Sequence, residues 1–463
     1  MTTQSPIGPT DAAAPADAFA HAAPDAAGAA QGPVAPNAVT APDAADAAEN
    51  PDLAATADTS RRSPRLRRLL VTFAPANLGL FLLWGAVPGI LLPLQIEGLD
   101  PSDKAANLAV VTTIGAFVAM LAQPLAGTLS DRTRSRYGPR ASWIVGGTLC
   151  GGLALLGLAA ANTLVQIAVA WTIVQIAYNF VQGPLSAVLP DRVPTARRGT
   201  FSAVVGFAAM LGALGGQVAA TGFADHVGAG YVTFAGIALV TLALFVALNP
   251  DRDNRAAPRR PFSARALLRS YYFDPRRHPD FAWAFLGRLL LYLGYFVVLN
   301  YQLYVLQDYV GLGDDAVDFI PVLGAVMLVT TLIATAIGGP LSDRIGRRKP
   351  LIYLAAVICA LGLIGPWVTP TTTGMLLFAA IGGFGFGFFQ SVDTALVSEV
   401  LPAQEDFAKD LGVVNIAATL PQVLAPAAAG AVVVVLGYAA LFPVGIVLLL
   451  LGGLAVAPIK SVR

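Results

Sequence analysis

Long apolar stretches, separated by short polar loops, follow one another along this chain from about residue 72 to residue 457. A helix of about 20 apolar residues crosses the hydrocarbon core of a bilayer, since each residue adds about 1.5 Å to its length. Charged residues make up only 12% of the sequence, against roughly 25% in soluble globular domains. The sequence therefore predicts an all-α polytopic membrane protein with twelve transmembrane helices.

The twelve predicted spans form two groups of six. The first group covers residues 72–96, 105–129, 142–161, 164–189, 200–224 and 231–248. The second group covers residues 281–307, 318–341, 350–369, 374–397, 411–436 and 438–457. We therefore divide the chain into a tail, a first six-helix half, a linker and a second six-helix half, at residues 1–60, 61–248, 249–280 and 281–463.

The tail differs from the rest of the chain in composition. It is rich in Ala, Pro, Asp and Thr and contains no Lys or Arg. Such a segment has too little apolar surface to offset its chain entropy, so we expect it to be disordered. It also lacks a basic stretch leading into an apolar one, so we expect no cleavable signal peptide.

The basic residues of the loops predict an orientation. Of the 29 Lys and Arg residues, Arg288 falls within a span and Lys104 in a loop on one side, which leaves 27 on the other side. Basic loops stay in the cytoplasm, so the sequence predicts a multi-pass protein of the cell membrane with both termini cytoplasmic.

The two halves share a short repeat. Gly127–Arg132 lies at the end of the second span, and the similar Gly339–Arg344 lies at the end of the eighth span, 212 residues later. Asp191 at the end of the fourth span corresponds to Glu399 at the end of the tenth. A repeat of this kind is typical of transporters built from two like halves.

These loops resemble the Gly-x-Leu-x-Asp-Arg motif of the major facilitator superfamily, and the similarity extends over the chain after about Arg68. The resemblance implies the major facilitator fold and a transporter that works by alternating access. No ATP-binding motif accompanies it, which indicates secondary transport. The longer stretch Asp131–Trp143 looks like the loop of sucrose transporters and of glycoside–pentoside–hexuronide:cation symporters, which implies a sugar or glycoside substrate.

The resemblance also implies a cytoplasmic gate that locks in one state and opens in the other. Gly127 and Gly339 are expected to allow close helix approach, and Asp131 and Asp343 to meet the N-terminus of a facing helix. The alternative is that the Arg residues only set orientation and touch lipid headgroups. The candidate gate residues are Asp131, Arg132, Arg136, Arg140, Asp191, Asp343, Arg344, Arg348 and Glu399.

Charges inside spans are costly and are usually functional. Arg288 in the seventh span and Asp393 in the tenth lie about 8–10 Å below the same membrane face, counted at about 1.5 Å per residue. These two spans line the central cavity in the superfamily, so we predict an Arg288–Asp393 pair that couples transport to a proton. The alternative is a static pair at the cavity floor. Sodium is a less favoured alternative to the proton, since the first, second and fourth spans carry no acid except Glu97 at one end, whereas the melibiose-permease type binds its cation with carboxylates in these spans.

Polar and aromatic residues at helical spacing predict a substrate site. Amide groups can bind the hydroxyls of a neutral sugar, and aromatic rings can stack on its C–H faces. The alternative is hydrogen bonding between helices, which contributes about 0.6 kcal/mol per bond. The candidate substrate-binding residues are Trp84, Gln175, Asn179, Gln182, Tyr292, Tyr295, Asn300, Gln390 and Asn415.

Two other functions stay open. Phe384, Phe386, Phe388 and Phe389 could line an apolar pocket in a proton-coupled exporter of lipophilic compounds. A membrane sensor or scaffold that keeps the fold without transport is an alternative of a different class. The glycines within 382–387 lie in an apolar span, so they predict close helix packing and a bend rather than a nucleotide loop.

The expected partners are a small-molecule substrate, a proton and the lipid bilayer. We expect a monomer without a cofactor. The three His are scattered, so no metal site is expected, and the basic residues are spread over short loops, so no nucleic acid is expected. The sequence shows no nucleophile–base pair, so an enzyme is not expected.

Overall fold

The chain folds into helices that follow the predicted spans, as seen in a computed structural model that describes residues 64–251, 253–255, 276, 278–400 and 407–460. Within these ranges the side chains of residues 195–196, 343, 394–395, 397–400 and 407–419 are not described. The predicted tail and most of the predicted linker therefore lie outside the described residues.

The helices of the first half are α1 Pro64–Leu99, α2 Lys104–Arg132, α3 Gly138–Ala159, α4 Leu164–Arg192, α5 Thr195–Thr221 and α6 Val227–Leu248. Those of the second half are α7 Pro279–Leu299, α8 Ala316–Ile345, α9 Arg348–Val368, α10 (the consecutive segments Thr372–Leu377, Phe378–Gly382 and Gly383–Val400), α11 Phe407–Leu436 and α12 Leu441–Leu454. Among the described residues, ten helices are long and apolar enough to cross a membrane, and Leu420–Leu436 and Tyr438–Leu454 are shorter apolar helices. Most helices are a few residues longer than the predicted spans, because polar residues extend them beyond the apolar stretch.

Each half packs in the same way. In the first half α1 packs against α5 and α6, α4 against α2 and α3, and α3 against α6. The same pairs recur six helices later, with α7 against α11 and α12, α10 against α8 and α9, and α9 against α12. The halves meet through α2 with α11 and α5 with α8. The sequence repeat is therefore also a structural repeat.

The two ends of the bundle are distinguished by their loops. We call the end with the α2–α3 and α8–α9 loops the motif end, and the other the opposite end. Large apolar side chains between the ends are exposed, including Leu153, Val240 and Leu361 at 69%, 64% and 52%. Such faces suit lipid rather than water.

Small residues bring α1 and α5 into close contact. A Cβ atom on Gly85 would lie 1.7 Å from the carbonyl oxygen of Ala213, and one on Gly216 would lie 2.0 Å from that of Leu82. Two backbones at this distance leave no room for a side chain. Close packing at small residues stabilises helix pairs in a membrane, where the hydrophobic effect does not drive helices together.

The replacement Gly85→Ala is therefore expected to lower the thermal stability of the detergent-purified protein, by about 1–3 kcal/mol as for an overpacked core. The matched control is Gly152→Ala in α3, where no described atom lies within 4 Å of the added Cβ. The control should leave the melting temperature unchanged or raise it, since Ala favours helix over Gly. Equal effects of the two variants would contradict the packing role of Gly85.

The glycines of α10 also pack closely, as predicted. A Cβ atom on Gly385 would lie 2.7 Å from the sulfur of Cys359 in α9, and one on Gly387 would lie 2.6 Å from the carbonyl oxygen of Thr331 in α8. The turn just before them, Phe378–Gly382, is a wide π-turn, and α1 has another at Val87–Leu91. Such turns often mark functional positions in helices.

The prediction for Gly127 and Gly339 is wrong. No described atom lies within 4 Å of a Cβ placed on either residue. The close approaches are at neighbouring positions, where a Cβ on Gly183 would lie 3.3 Å from the backbone nitrogen of Gly127 and one on Gly338 would lie 2.1 Å from the hydroxyl of Ser391. In a helix, one residue changes the facing direction by about 100°, so the motif glycine of α8 points away from the contact.

Candidate functional site

Arg140 joins three helices of the first half at the motif end. Its guanidinium lies 2.6 Å from a carboxylate oxygen of Asp131 at the end of α2 and 2.9 Å from one of Asp191 at the end of α4. It also donates to the Ser130 hydroxyl at 3.0 Å. Arg140 is only 8% exposed, so one buried cation holds two carboxylates, and the ends of α2, α3 and α4 are fixed together.

The start of the linker closes this cluster from the other side. Asp251 pairs with Arg192 at 2.7 Å and accepts from the backbone N–H of Arg140 at 3.3 Å, in the first turn of α3. The sequence predicts that Asp131 meets a helix N-terminus. In the structure Asp251 lies at the N-terminus of α3 instead, and Asp131 binds the Arg140 side chain. Sequence reasoning missed Asp251, because its partners, Arg140 in α3 and Arg192 in α4, are far from it along the chain.

Asn254 adds a second attachment of the linker. Its side chain donates to the Thr133 carbonyl at 2.8 Å and accepts from the Ser135 backbone N–H at 2.9 Å. The α2–α3 loop and the first residues after α6 thus form one connected unit.

The two other gate candidates of the first half are Arg132 and Arg136. Arg136 is exposed and stacks on Tyr137, with its guanidinium 4.5 Å from the ring centre. Arg132 is the last residue of α2. The short α2–α3 loop turns Arg136 toward solvent, whereas Arg140, one helical turn further, faces the bundle.

The second half repeats part of this arrangement. Arg348 donates to the hydroxyl of Ser342, as Arg140 does to Ser130. Lys349 donates to the carbonyl oxygen of Ile459, so the segment after α12 returns to the start of α9. Arg344 is exposed, and the side chains of Asp343 and Glu399 lie outside the described residues.

Arg288 and Asp393 lie together, although they are more than a hundred residues apart. The Nε atom of Arg288 is 3.3 Å from Oδ2 of Asp393, and the side chains are 13% and 3% exposed. Arg288 also lies 5.6 Å from the ring centre of Tyr292. The Tyr292 hydroxyl interacts with the side chains of Arg288 and Gln390. Four predicted residues from α7 and α10 thus form one group, which we call the α7–α10 polar group.

An aromatic cluster surrounds this group. Tyr295 stacks on Phe386 with ring centres 4.0 Å apart, and Tyr292 contacts Phe386 and Phe389 edge-on at 5.4 and 5.6 Å. Phe384 stacks on Phe388 at 6.4 Å. The four phenylalanines of α10 therefore divide between two faces, and Phe386 and Phe389 border the α7–α10 polar group.

The first half has its own polar and aromatic group between α1 and α4. Trp84 donates to the amide oxygen of Gln182 at 3.1 Å, and its ring meets those of Trp171 and Tyr178 edge-on at 6.3 and 6.4 Å. The Trp171 N–H and the Tyr178 hydroxyl are buried without a hydrogen-bond partner among the described residues. Two unsatisfied donors next to a tryptophan–glutamine pair are unusual, because such groups cost about 1–3 kcal/mol each.

Two predicted substrate-binding residues, Asn179 and Asn300, make local side-chain contacts. The Asn179 side chain donates to the carbonyl oxygen of Gln175 at 2.8 Å, and both residues are buried. The Asn300 side chain donates to the Phe296 carbonyl at 2.9 Å, at the end of α7. Each of these amides donates to a backbone carbonyl one turn earlier in its own helix, as polar residues in apolar helices often do. The side chain of Asn415 lies outside the described residues.

The fold and these groups are of the major facilitator type, with two like halves of six helices each. A family model described as MFS/sugar transport protein matches residues 104–454, which is most of the chain. The protein therefore belongs to this family, and the predicted fold class is confirmed.

One curated relative is MFS transporter asaE of Aspergillus flavus, which is 24% identical over 306 residues. The alignment covers 65% of this chain and 65% of that protein, just under two thirds of its length.

Solved structures share the fold at low sequence identity. A mutant of the nucleoside transporter NupG superposes with a TM-score of 0.70 at 16% identity, over 84% of this chain and 99% of that one. A D-xylose-proton symporter gives 0.61 at 16% identity, over 86% and 98%. A bacterial homologue of the human lysosomal transporter Spinster, in an inward-facing and unoccupied conformation, gives 0.62 at 13% identity, over 86% and 95%. Identities this low establish the fold alone.

Proposed function

We propose that this protein transports a sugar or glycoside across the cell membrane together with a proton. The observation that carries the proposal is the α7–α10 polar group, in which a nearly buried Arg288–Asp393 pair adjoins the side chains of Tyr292 and Gln390. A polyhydroxylated ligand needs such donors and acceptors beside aromatic rings, and a proton needs a carboxylate that can be charged or neutral.

The geometry supports a simple coupling step. Arg288 holds Asp393 by an ion pair at 3.3 Å that does not have hydrogen-bond geometry at Nε. A ligand hydroxyl that accepts from the guanidinium draws it away from the carboxylate. Asp393 is then left charged in an apolar site, which favours uptake of a proton at Oδ2. Release of the ligand lets the pair re-form, and the proton leaves.

The orientation is part of the proposal. The motif end carries the basic loops, including Arg140 and Arg348, and we place it in the cytoplasm by the distribution of basic residues. The cluster of Arg140 with Asp131 and Asp191 then acts as the cytoplasmic gate.

The test is a thermal-shift screen of the detergent-purified protein, followed by flux measurements in liposomes. A ligand that binds only the folded state at a hundredfold excess over its Kd stabilises the protein by about 2.7 kcal/mol. We expect a shift with one class of monosaccharide, disaccharide or glycoside, and accumulation of that sugar driven by an inward proton gradient. A sugar that shifts the protein but does not accumulate under the gradient would contradict proton coupling.

The rings around the α7–α10 polar group favour one alternative. Phe386 and Phe389 present apolar surface beside Asp393, as an exporter of lipophilic compounds would require. A thermal shift with lipophilic cations and none with sugars would select this alternative.

A further inference from the structure

Lys104 lies where the two halves meet at the opposite end, in a position that neither the motif loops nor the α7–α10 polar group involves. Its ammonium is 2.7 Å from Oε1 of Glu97 in the first half, and 2.9 Å from Oδ1 of Asp308 in the second half. A third hydrogen bond reaches the amide oxygen of Gln307 at 3.4 Å. Each of the three N–H groups of the ammonium thus has an acceptor.

The partners of Lys104 are joined to one another as well. The Gln307 amide donates to the other oxygen of Glu97 at 2.9 Å. Lys104 also lies 4.8 Å from the ring centre of Tyr304. The residue is only 9% exposed, which is unusual for a lysine unless its charge is paired. We call Glu97, Lys104, Gln307 and Asp308 the opposite-end cluster.

Neighbouring contacts join the halves at the same end. The Tyr304 hydroxyl donates to the carbonyl oxygen of Pro93 at 2.8 Å, and the Tyr301 hydroxyl donates to that of Ala105 at 2.9 Å. A Cβ on Gly430 of α11 would lie 2.2 Å from the Cβ of Ala109 in α2. The halves therefore touch closely here, and the end is closed in this structure.

We propose that Lys104 is the residue that locks this end of the transporter closed, and that alternating access requires its ion pair with Asp308 to break. The lock has one cation between two carboxylates from different halves. Without the cation, Glu97 and Asp308 repel each other at short range, and water weakens this repulsion only in part, because their side chains are 25% and 37% exposed. Loss of Lys104 therefore favours the state in which this end opens. The proposal rests on alternating access, but not on the sugar or the proton.

The test measures both ends of the molecule by electron paramagnetic resonance distances. The background carries Cys150→Ser and Cys359→Ala, which remove the two native cysteines. Spin labels at Asn162→Cys and Thr373→Cys report the opposite end, and labels at Thr200→Cys and Arg347→Cys report the motif end; all four positions are exposed. The distance measurement needs no transported substrate. A negative result therefore counts against the lock alone and leaves the proposed sugar transport untouched.

Lys104→Met is expected to raise the population with a long distance at the opposite end at least tenfold, and to shorten the distance at the motif end. The reciprocal change is the signature of a switch between states, since a merely loosened bundle broadens both distributions. An unchanged distribution at the opposite end, or broadening at both ends, would overturn the proposal.

Two further variants separate charge pairing from folding. Lys104→Glu combined with Asp308→Lys keeps one cation and two carboxylates in the cluster, and is expected to restore the closed population. Asp308→Asn removes only the ion pair between the halves and should shift the populations in the same direction by a smaller factor. This milder variant serves if Lys104→Met does not fold.

Asp314→Asn, on an exposed turn close by in the chain, is the matched control and should change neither distance distribution. A double variant that stays open, or an Asp314→Asn that opens as far as Asp308→Asn, would count against the lock.

Discussion

Replacing Asp393 by Asn is expected to abolish accumulation of substrate against its gradient while leaving exchange of substrate across the membrane within about threefold of wild type. The amide has the shape of the protonated carboxyl but cannot release a proton, so the step that needs proton loss is removed. Exchange of labelled for unlabelled substrate needs only movement of the loaded transporter. The measurement compares uptake driven by a proton gradient with counterflow in the same liposomes.

A second variant separates coupling from a static role. Asp393→Asn leaves Arg288 buried without its carboxylate, and removal of one partner of a buried pair costs about 3–5 kcal/mol of stability. Combining Arg288→Gln with Asp393→Asn removes both charges and should recover much of that stability. If the pair is only structural, the double variant should also recover accumulation.

The matched control for this experiment is Asp318→Asn. Asp318 is an exposed carboxylate in the first turn of α8, so its replacement should change neither accumulation nor exchange. Accumulation by Asp393→Asn with an ordinary pH dependence would show that another group carries the proton.

Replacing Arg140 by Gln is expected to lower the rate of exchange at least tenfold. The variant leaves Asp131 and Asp191 without their shared cation, so the ends of α2, α3 and α4 lose their connection and the two carboxylates repel. Because these carboxylates are 62% and 46% exposed, water screens the loss, and we expect stability to fall by only about 1 kcal/mol. A large rate effect with a small stability effect would mark the cluster as a gate.

The same loop supplies a control of equal charge. Arg136→Gln also removes one positive charge, but Arg136 is exposed and contacts Tyr137. Its rate should stay within about twofold of wild type. If both variants slow exchange equally, the loop acts through its total charge, at the lipid headgroups, rather than through the Arg140 contacts.

The sequence by itself determined the membrane class, the helix count and the repeat. These follow from local properties: a bilayer requires a stretch of about 20 apolar residues for every crossing, and such stretches are visible without knowledge of the neighbours. The Arg288–Asp393 contact was also within reach of the sequence, because charges inside spans are few and have few partners to choose from.

The tertiary structure decided which of several similar residues make each contact. Arg136 and Arg140 look alike in the sequence, but only the direction of each side chain after the α2–α3 turn brings Arg140 to Asp131 and Asp191. Gly127 carries the motif, yet Gly183 provides the close approach, since helix rotation sets the facing side. Lys104 and Asp308 are 204 residues apart, and their contact depends on how the two halves tilt against each other. No local pattern encodes that arrangement, because it results from the packing of all twelve helices at once.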